Sequence, residues 1–354
     1  MRRKRRIILV ILLIPVLAWL LISALNWHSR LYRVTVLPKF RLRAVTPCAI
    51  NDRGQIVGFC QGRFLLWTQD TGWRELGRAS ESLFINNAGQ IAGTVDDPNG
   101  APQTFLWDPN EGVRLLGTPG TGRSTACALN NRGQVVGQYG KDLNLSDVFV
   151  WDKAQGMRAL DVVGGLPKAM NDAGQILGLR GSRQQGGELV QRFLWELDED
   201  GSITGTLLPS AAFLGLNNSG YVLGRAFNFD ERAFYAFIWR QDRGMEWVFA
   251  LENQMARVVA LNDANMVVVC EEERFGWLER LTGRRFGIDK ESFVWTRERG
   301  RVFLDRYVLT RRGEHFDIQG LNNSGSIIGM VGLEGRSEGR RSVLLKPIPE
   351  RWGK

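Results

Sequence analysis

AINDRGQIVG, residues 49–58, places Asn51, Asp52 and Gln55 around Gly54 between apolar residues. This composition suits either a ligand-binding loop or a turn between two strands. The same pattern returns six more times along the chain. The later copies are FINNAGQIAG from residue 84, ALNNRGQVVG from 128, AMNDAGQILG from 169, GLNNSGYVLG from 215, ALNDANMVVV from 260 and GLNNSGSIIG from 320. Such repetition predicts a repeat architecture instead of one isolated loop.

Each copy has the composition of a tight hairpin turn. The first position is always Asn, whose side chain can accept a backbone N–H, and the Gly that follows suits the left-handed conformation. Asn265 replaces this Gly in the sixth copy, and Asn also tolerates that conformation. Because each copy holds at most one carboxylate, we predict structural turns, with a ligand role as the alternative. The seven turn asparagines are Asn51, Asn86, Asn130, Asn171, Asn217, Asn262 and Asn322.

A second repeated feature, Phe-x-Trp, follows each of the first six turns, with Leu in place of Phe in the first copy. Alternate residues of a strand point to the same side, so each pair predicts a buried layer between stacked units. An aromatic stripe that binds sugars is the alternative. The pairs are Leu65/Trp67, Phe105/Trp107, Phe149/Trp151, Phe193/Trp195, Phe237/Trp239 and Phe293/Trp295.

A Gly and a fourth apolar segment complete each repeat. The Gly stands five residues after the Trp in five copies and six residues after it in the fourth copy, at Gly201. Each unit therefore predicts a four-stranded meander. Successive turn asparagines are spaced by 35 to 60 residues, mostly 41 to 46, which is typical of a propeller blade. We predict an all-β, seven-bladed β-propeller of four-stranded antiparallel blades.

These motifs resemble the bacterial HAF repeat, a probable extracellular repeat. The resemblance covers residues 45–345 and depends on the turn motif, the Phe-x-Trp motif, the following Gly and an LG-like end. It implies a propeller-type repeat outside the cytoplasm and says little about activity. The His-Ala-Phe triplet of the name is incomplete here, since only Ala236–Phe237 keeps the Ala and no copy has the His.

The seventh repeat lacks a fourth strand, and a strand from the other end of the chain can supply it. YRVTVL, residues 32–37, alternates like a strand and has no hairpin partner of its own. If it fills the vacant edge, the ring holds seven complete blades without an open edge. We therefore expect a propeller over residues 32–347, a linker at 26–31 and a tail at 348–354.

The N-terminal region has the features of a membrane anchor. Five of the nine net positive charges lie in residues 2–6, and residues 7–25 contain no charge. As a helix this segment would measure about 28 Å, close to the thickness of a bilayer's hydrocarbon core. The flanking charges predict a cytoplasmic N-terminus and a periplasmic or extracellular propeller, in a single-pass protein of the bacterial inner membrane. A cleaved signal peptide is the alternative, although Ile22 fits a cleavage site poorly.

The sequence offers little for catalysis. Two histidines, His28 and His315, and no CxxC argue against a usual zinc site, and no cofactor is predicted. His315 is expected in a surface loop. ELDEDGS, residues 196–202, resembles half of a calcium loop but coincides with a third turn of the meander. A disulfide between Cys48 and Cys60 stays open, and the mild charge outside residues 2–6 argues against binding nucleic acid.

We therefore expect a non-enzymatic binding or scaffolding module whose partner is a protein or glycan outside the cytoplasm. The blade-six insertion, residues 271–292, is the candidate contact, with a merely solvated short helix as the alternative. Its candidate partner-binding residues are Phe275, Trp277, Arg280, Arg284, Arg285 and Phe286. The rival function is a carbohydrate-active enzyme with a carboxylate pair on the loop face. The candidate carboxylates are Asp96, Asp147, Asp230 and Asp289.

Overall fold

The described residues form seven four-stranded antiparallel sheets and two short helices. The computed structural model describes residues 31–352, apart from 121, 142–146, 163, 185–186, 199–201, 210, 252–255, 275–288, 309–313 and 334–338. In each of the first six sheets, four consecutive strands pair in sequence order. The predicted seven-bladed β-propeller is therefore confirmed.

The strands of the first four blades follow one another along the chain. Blade one holds β2 (Thr46–Ile50), β3 (Ile56–Cys60), β4 (Arg63–Thr68) and β5 (Gly72–Arg78). Blade two holds β6 (Glu81–Ile85), β7 (Ile91–Asp96), β8 (Pro102–Asp108) and β9 (Gly112–Leu115). Blade three holds β10 (Arg123–Leu129), β11 (Val135–Gly140), β12 (Asp147–Asp152) and β13 (Gly156–Ala159). Blade four holds β14 (Gly165–Met170), β15 (Gln175–Gln184), β16 (Gly187–Leu197) and β17 (Ile203–Leu207).

The last three blades include two short helices. Blade five holds β18 (Ala212–Leu216), β19 (Val222–Asn228), β20 (Ala233–Arg240) and β21 (Gly244–Leu251). Blade six holds β22 (Arg257–Leu261), β23 (Val267–Arg274), β24 (Asp289–Thr296) and β25 (Gly300–Phe303), followed by α1 (Asp305–Val308). Blade seven holds β26 (Glu314–Leu321), β27 (Ile327–Leu333), β28 (Arg341–Pro347) and β1 (Tyr32–Val36), and α2 (Pro349–Trp352) follows β28.

β1 completes blade seven, as the sequence predicts. It pairs antiparallel with β28, and Tyr32 lies opposite Pro347 while Val36 lies opposite Val343. The C-terminal segment then holds the start of β1, since the Trp352 indole N–H donates to the Leu31 carbonyl oxygen at 3.0 Å. The rings of Tyr32 and Trp352 meet edge to face at 5.3 Å. Both ends of the described chain are thus joined in one blade.

The Phe-x-Trp layer lies in the core between blades, as expected. Phe105, Phe149, Phe237 and Phe293 are fully buried, and Leu65 takes this place in blade one. In blades two, three and five, the Gly that ends the turn motif makes space for the Phe ring opposite it: Gly137 pairs with Phe149, and a Cβ at Gly137 would lie 2.5 Å from the Phe149 Cζ atom. Phe193 and Trp295 are only half-buried.

The turns define two faces of the ring. In a meander, the first and third turns of every blade lie at one face, and the second turns lie at the other with the connections between blades. We call these the first-turn face and the second-turn face. Because Tyr32 lies beside Pro347, at the end of β28, the chain enters the propeller from the first-turn face. It crosses to the second-turn face through β1.

Several expectations fall outside the described residues or differ from the structure. The predicted anchor at residues 7–25 lies outside the described part, as do the insertion residues 275–288. Among the residues that the structure does describe, no helix has the length and apolar character needed to cross a membrane. His315 lies in β26 and not in a loop, so that expectation is wrong. The four cysteines are free thiols.

Candidate functional site

The repeated turns carry their predicted geometry. In the first copy, the Gly54 N–H donates to the Asn51 carbonyl oxygen at 3.0 Å, and the Gln55 N–H donates to Asn51 Oδ1 at 2.9 Å. Gly54 has a φ of 74°, and Asn265 in the sixth copy has a φ of 57°. The side-chain cap and the left-handed position of the hairpin turn are therefore both confirmed.

The same asparagines also form a ring of hydrogen bonds that joins the blades. The Nδ2 atom of each turn Asn donates to the carbonyl oxygen of the turn Asn in the next blade. The distances are 2.9 Å from Asn51 to Asn86, 3.1 Å from Asn86 to Asn130, 3.1 Å from Asn130 to Asn171 and 3.1 Å from Asn171 to Asn217. They are 3.0 Å from Asn217 to Asn262, 3.1 Å from Asn262 to Asn322 and 2.8 Å from Asn322 to Asn51. The ring is closed.

A second ring runs beside the first, one residue further along each turn. The backbone N–H of the second turn residue donates to the Oδ1 atom of its counterpart in the next blade. The distances are 2.9 Å from Asp52 to Asn87, 2.8 Å from Asn87 to Asn131, 2.7 Å from Asn131 to Asp172 and 2.9 Å from Asp172 to Asn218. They are 2.8 Å from Asn218 to Asp263, 2.9 Å from Asp263 to Asn323 and 2.8 Å from Asn323 to Asp52. Two concentric rings therefore join all seven blades at the first-turn face.

These rings explain a detail of the repeat that sequence reasoning missed. The first turn position must accept a bond for its own turn and donate one to the next blade, and among side chains of this length only Asn does both. The second position needs only an acceptor oxygen, which Asp also supplies. The first position is Asn in all seven copies, whereas the second is Asp in three and Asn in four. This difference between the two turn positions is the sequence signal from which the rings could have been predicted.

The rings surround a narrow cavity of about 190 Å³ on the propeller axis. Three carboxylates line it, those of Asp52, Asp172 and Asp263, and neighbouring amides satisfy them. Asp263 Oδ2 accepts hydrogen bonds from Asn218 Nδ2 at 3.1 Å and from Asn323 Nδ2 at 2.8 Å. The described residues contain no cluster of three or more His, Cys, Asp or Glu that could hold a metal ion. The arrangement stabilises the contacts between neighbouring blades.

The candidate carboxylates of the enzyme hypothesis do not come from one blade. Asp96 ends β7, Asp147 begins β12, Asp230 lies between β19 and β20, and Asp289 begins β24. All four belong to the second-turn face, in blades two, three, five and six. A carboxylate pair for glycoside hydrolysis requires a separation below about 10 Å. The side chain of Asp289 lies outside the described part of the structure.

The titratable groups with shifted pKa values lie in several blades. Burial raises the pKa of the Cys48 thiol in blade one to about 11, which makes it a poor nucleophile at neutral pH. In blade two, a hydrogen bond from the Gln90 side chain, followed by one from the Asn110 backbone, lowers the pKa of Asp108. Asp108 lines a pocket with Lys153 of blade three, whose pKa is raised by its hydrogen bond to Glu111.

An exposed aromatic group stands on the second-turn face of blade five. Phe229 is 82% exposed, and its ring meets that of Phe227 edge to face at 5.1 Å. Phe227 in turn contacts Phe234 across the β19–β20 hairpin at 5.2 Å. On the other side of the same sheet, Trp247 is 40% exposed. The sequence signal was the phenylalanine excess in this hairpin, which the Phe-x-Trp motif does not require.

The candidate residues of the blade-six insertion lie outside the described part of the chain. They are Phe275, Trp277, Arg280, Arg284, Arg285 and Phe286. The strands on both sides are described, and Arg274 of β23 lies opposite Asp289 of β24. The insertion therefore starts and ends at the second-turn face of blade six.

Comparison with known proteins supports the fold and goes no further. No family model and no curated protein matches the chain, so the resemblance to the HAF repeat has no independent support. The chain is similar to the propeller domain of the trilobed protease from Pyrococcus furiosus, with 9% identity, a TM-score of 0.57 and coverage of 87% of this chain and 94% of that one. That domain is reported to have an open velcro topology, whereas β1 closes blade seven here.

Two further structures are similar over most of this chain. The acylaminoacyl peptidase of Pyrococcus horikoshii is 10% identical with a TM-score of 0.55, and the match covers 86% of this chain and 51% of that one. A chain of a mitotic checkpoint complex is 11% identical with a TM-score of 0.52, over 91% of this chain and 95% of that one. At such identities the likeness shows the propeller fold alone.

Proposed function

We propose that this protein is a membrane-tethered, extracytoplasmic binding or scaffolding module without enzymatic activity. The observation that carries the proposal is the contrast between the two faces of the ring. On the first-turn face, the polar groups at the axis are engaged by one another in two closed rings. On the second-turn face, hairpins of different length present exposed aromatic side chains such as Phe229. Loops that vary on a rigid scaffold are common binding elements.

The entry point of the chain supports the tether. Tyr32 starts β1 at the first-turn face, and a linker of residues 26–31 would precede it. Six extended residues reach about 20 Å. An anchor at residues 7–25 would therefore hold the first-turn face toward the membrane and leave the second-turn face open to partners. The basic residues 2–6 place the N-terminus in the cytoplasm in this proposal.

The second-turn face of blades five and six is the proposed contact. The aromatic group around Phe227 and Phe229 belongs to blade five, and the insertion with Phe275 and Trp277 in its sequence belongs to blade six. Aromatic and Arg side chains dominate the energetics of many interfaces. The alternative, a carbohydrate-active enzyme with a carboxylate pair on the loop face, would require two of the candidate carboxylates, which belong to the second turns of four blades, to lie within about 10 Å of each other.

The proposed topology predicts a protease pattern. Protease added to intact spheroplasts should digest the propeller, because the ring would lie outside the cytoplasmic membrane. Complete protection of the propeller, with digestion only after lysis, would contradict this orientation. Release of the propeller into the medium without protease would show that the segment is cleaved.

If the blade-six insertion is the contact, its removal should abolish partner binding without unfolding the propeller. Residues 275–288 can be replaced by a short Gly-containing turn, because Arg274 and Asp289 already lie opposite each other. Surface loops tolerate such changes in length, so thermal stability should change little. Partners captured by in-cell crosslinking of the full chain should be lost. If partners persist while the protein stays folded, this insertion is not the contact.

A further inference from the structure

The axial cavity on the first-turn face has an apolar base and a polar rim. Its volume is about 190 Å³, and every residue that lines it is described. The base consists of the residue before each turn Asn, namely Ile50, Ile85, Leu129, Met170, Leu216, Leu261 and Leu321. The rim consists of the residue after each turn Asn, namely Asp52, Asn87, Asn131, Asp172, Asn218, Asp263 and Asn323. The cavity is therefore amphipathic along the propeller axis.

The rim lies at the solvent and the base lies inside the ring. Each base residue ends the first strand of its blade, whereas each rim residue belongs to the turn that follows. Asp52 and Asn131 of the rim are exposed, whereas Ile50 and Met170 of the base are each 8% exposed. A molecule that enters from the first-turn face would pass the rim before its leading part reaches the apolar base.

The rim carries three negative charges without a cation in contact with them. No lysine or arginine of the described residues forms an ion pair with the three rim aspartates. Arg53 and Arg132 follow two of the rim positions, but neither lines the cavity. The Arg132 guanidinium reaches the first turn of blade four, where a Cβ added at Gly174 would lie 2.9 Å from its Nη2 atom. The rim is therefore electronegative.

The hydrogen bonds of the rings leave the rim aspartates able to accept further donors. Asp172 accepts from the Asn131 N–H at 2.7 Å and from Asn131 Nδ2 at 2.9 Å, whereas a carboxylate can accept about four hydrogen bonds. The rim position does not require a carboxylate, since Asn occupies it in four blades. Three like charges around one axis repel one another. The structural role of the ring therefore does not explain why three of the seven positions are Asp.

The volume and the lining together indicate the class of ligand. A cavity of about 190 Å³ has the volume of roughly six water molecules, which is more than a bare ion fills. The described residues hold no group of three or more His, Cys, Asp or Glu suited to a metal ion. An apolar base favours a hydrocarbon group, and carboxylates at the rim favour a charged N–H donor.

We infer that the axial cavity binds an aliphatic primary ammonium group, with its hydrocarbon part on the base and its nitrogen at the rim. The N–H donors of the ammonium would bind carboxylate oxygens of the rim aspartates. A free aliphatic amine and the amino-terminal residue of a peptide with an apolar side chain both present this chemistry. The site goes beyond the proposed function, because it lies on the face opposite the proposed partner contact and does not depend on that contact.

The test measures the binding of isopentylamine to the full chain in detergent micelles, by isothermal titration calorimetry at low salt. Asp52→Asn/Asp172→Asn removes two charges and keeps the Oδ1 acceptors of the second ring, so the variant should fold. It should bind isopentylamine at least about tenfold more weakly than the wild-type protein. Asp172→Asn alone should weaken binding at least about threefold. Thermal unfolding of both variants checks that the propeller is intact.

A matched control distinguishes a site from general attraction between charges. Asp70→Asn/Glu298→Gln makes the same change in net charge on third turns of the same face, outside the rim, and should leave binding within about twofold. Isopentyl alcohol keeps the hydrocarbon group and lacks the charge, so it should bind at least about tenfold more weakly than the amine. Methylamine keeps the charge and lacks most of the hydrocarbon, so it should compete poorly.

Four results would each overturn the proposal. They are no binding of isopentylamine, equal weakening by the two double substitutions, equal binding of isopentyl alcohol, and competition by methylamine or sodium ions as strong as by unlabelled isopentylamine. Equal binding of the alcohol would indicate an apolar cavity that ignores charge. Strong competition by methylamine or sodium would indicate a site for any small cation.

The source of the ammonium group is decided with the peptide Leu-Gly-Gly and its N-acetylated form. If Leu-Gly-Gly binds more tightly than isopentylamine and the acetylated form does not bind, the site takes the amino terminus of a peptide. If isopentylamine binds and neither peptide does, the site takes a free amine. Both results support the ammonium class, whereas equal binding of the acetylated and free peptides would contradict it.

Discussion

The side chain of Asn171 stabilises both its own turn and the ring of hydrogen bonds between blades. Asn171 Oδ1 accepts hydrogen bonds from the Gln175 N–H at 2.9 Å and the Ala173 N–H at 3.1 Å, which stabilise its own turn. Its Nδ2 atom donates to the Asn217 carbonyl oxygen at 3.1 Å in the next blade. Only 2% of Asn171 is exposed, so neither bond is replaced by water. Turn and ring therefore depend on one residue.

Exchanging amide and carboxylate within this turn should lower the stability by unequal amounts at adjacent positions. Asn171→Asp keeps the acceptor but removes the donor and buries a charge beside a carbonyl oxygen. We expect it to lower the free energy of unfolding by about 3 kcal/mol, measured by denaturant unfolding. Asp172→Asn, at the half-buried second position, keeps the oxygen that accepts from the Asn131 N–H and should cost less than about 1 kcal/mol. Equal losses from the two substitutions would mean that the ring contributes nothing specific.

At the level of the strand, β1 contributes through both pairing and packing. It has five residues and supplies the outer edge of blade seven. Tyr32, at its start, is 1% exposed and lies between the rings of Tyr307 and Trp352, at 6.0 and 5.3 Å. The Tyr32 hydroxyl is buried with no hydrogen-bond partner in the structure. Its stabilising effect therefore comes from the ring.

Two substitutions at Tyr32 distinguish the contribution of its ring to stability from that of its hydroxyl. Tyr32→Ala should lower the free energy of unfolding by about 3–5 kcal/mol, because it leaves a cavity between β1 and α2. Tyr32→Phe keeps the ring and removes an unsatisfied hydroxyl, so its effect should stay within about 1 kcal/mol. Chemical denaturation of the two variants measures both values. A large loss in Tyr32→Phe would indicate a bonded hydroxyl.

Much of the element pattern can be read from the sequence, because it depends on local chemistry repeated seven times. The Asn and Gly positions predict the turns, and the alternation in residues 32–37 predicts the closing strand. Contacts between distant segments leave no local signal: the Nδ2 bond from Asn322 to Asn51 spans 271 residues. Sequence patterns also cannot show that Leu42 adopts a left-handed conformation, with a φ of 66°.

At the scale of the whole molecule, closure couples the two ends of the described chain to every blade between them. Each blade contributes one bond to each ring, and blade seven is complete only when β1 pairs with β28. A closed ring also avoids an exposed strand edge. A rigid scaffold of this kind can present the aromatic group of blade five at a fixed position on the second-turn face.

The most direct test of this account compares the thermal unfolding of two shortened chains. A chain that starts at Arg30 keeps β1, and a chain that starts at Arg41 lacks it and leaves β28 as an open edge. We expect the second chain to unfold at a temperature lower by on the order of 10 °C, with a broader transition, because blade seven loses its outer strand and the packing of Tyr32. If both chains unfold at the same temperature with the same cooperativity, β1 does not close the ring and the account of the fold is wrong.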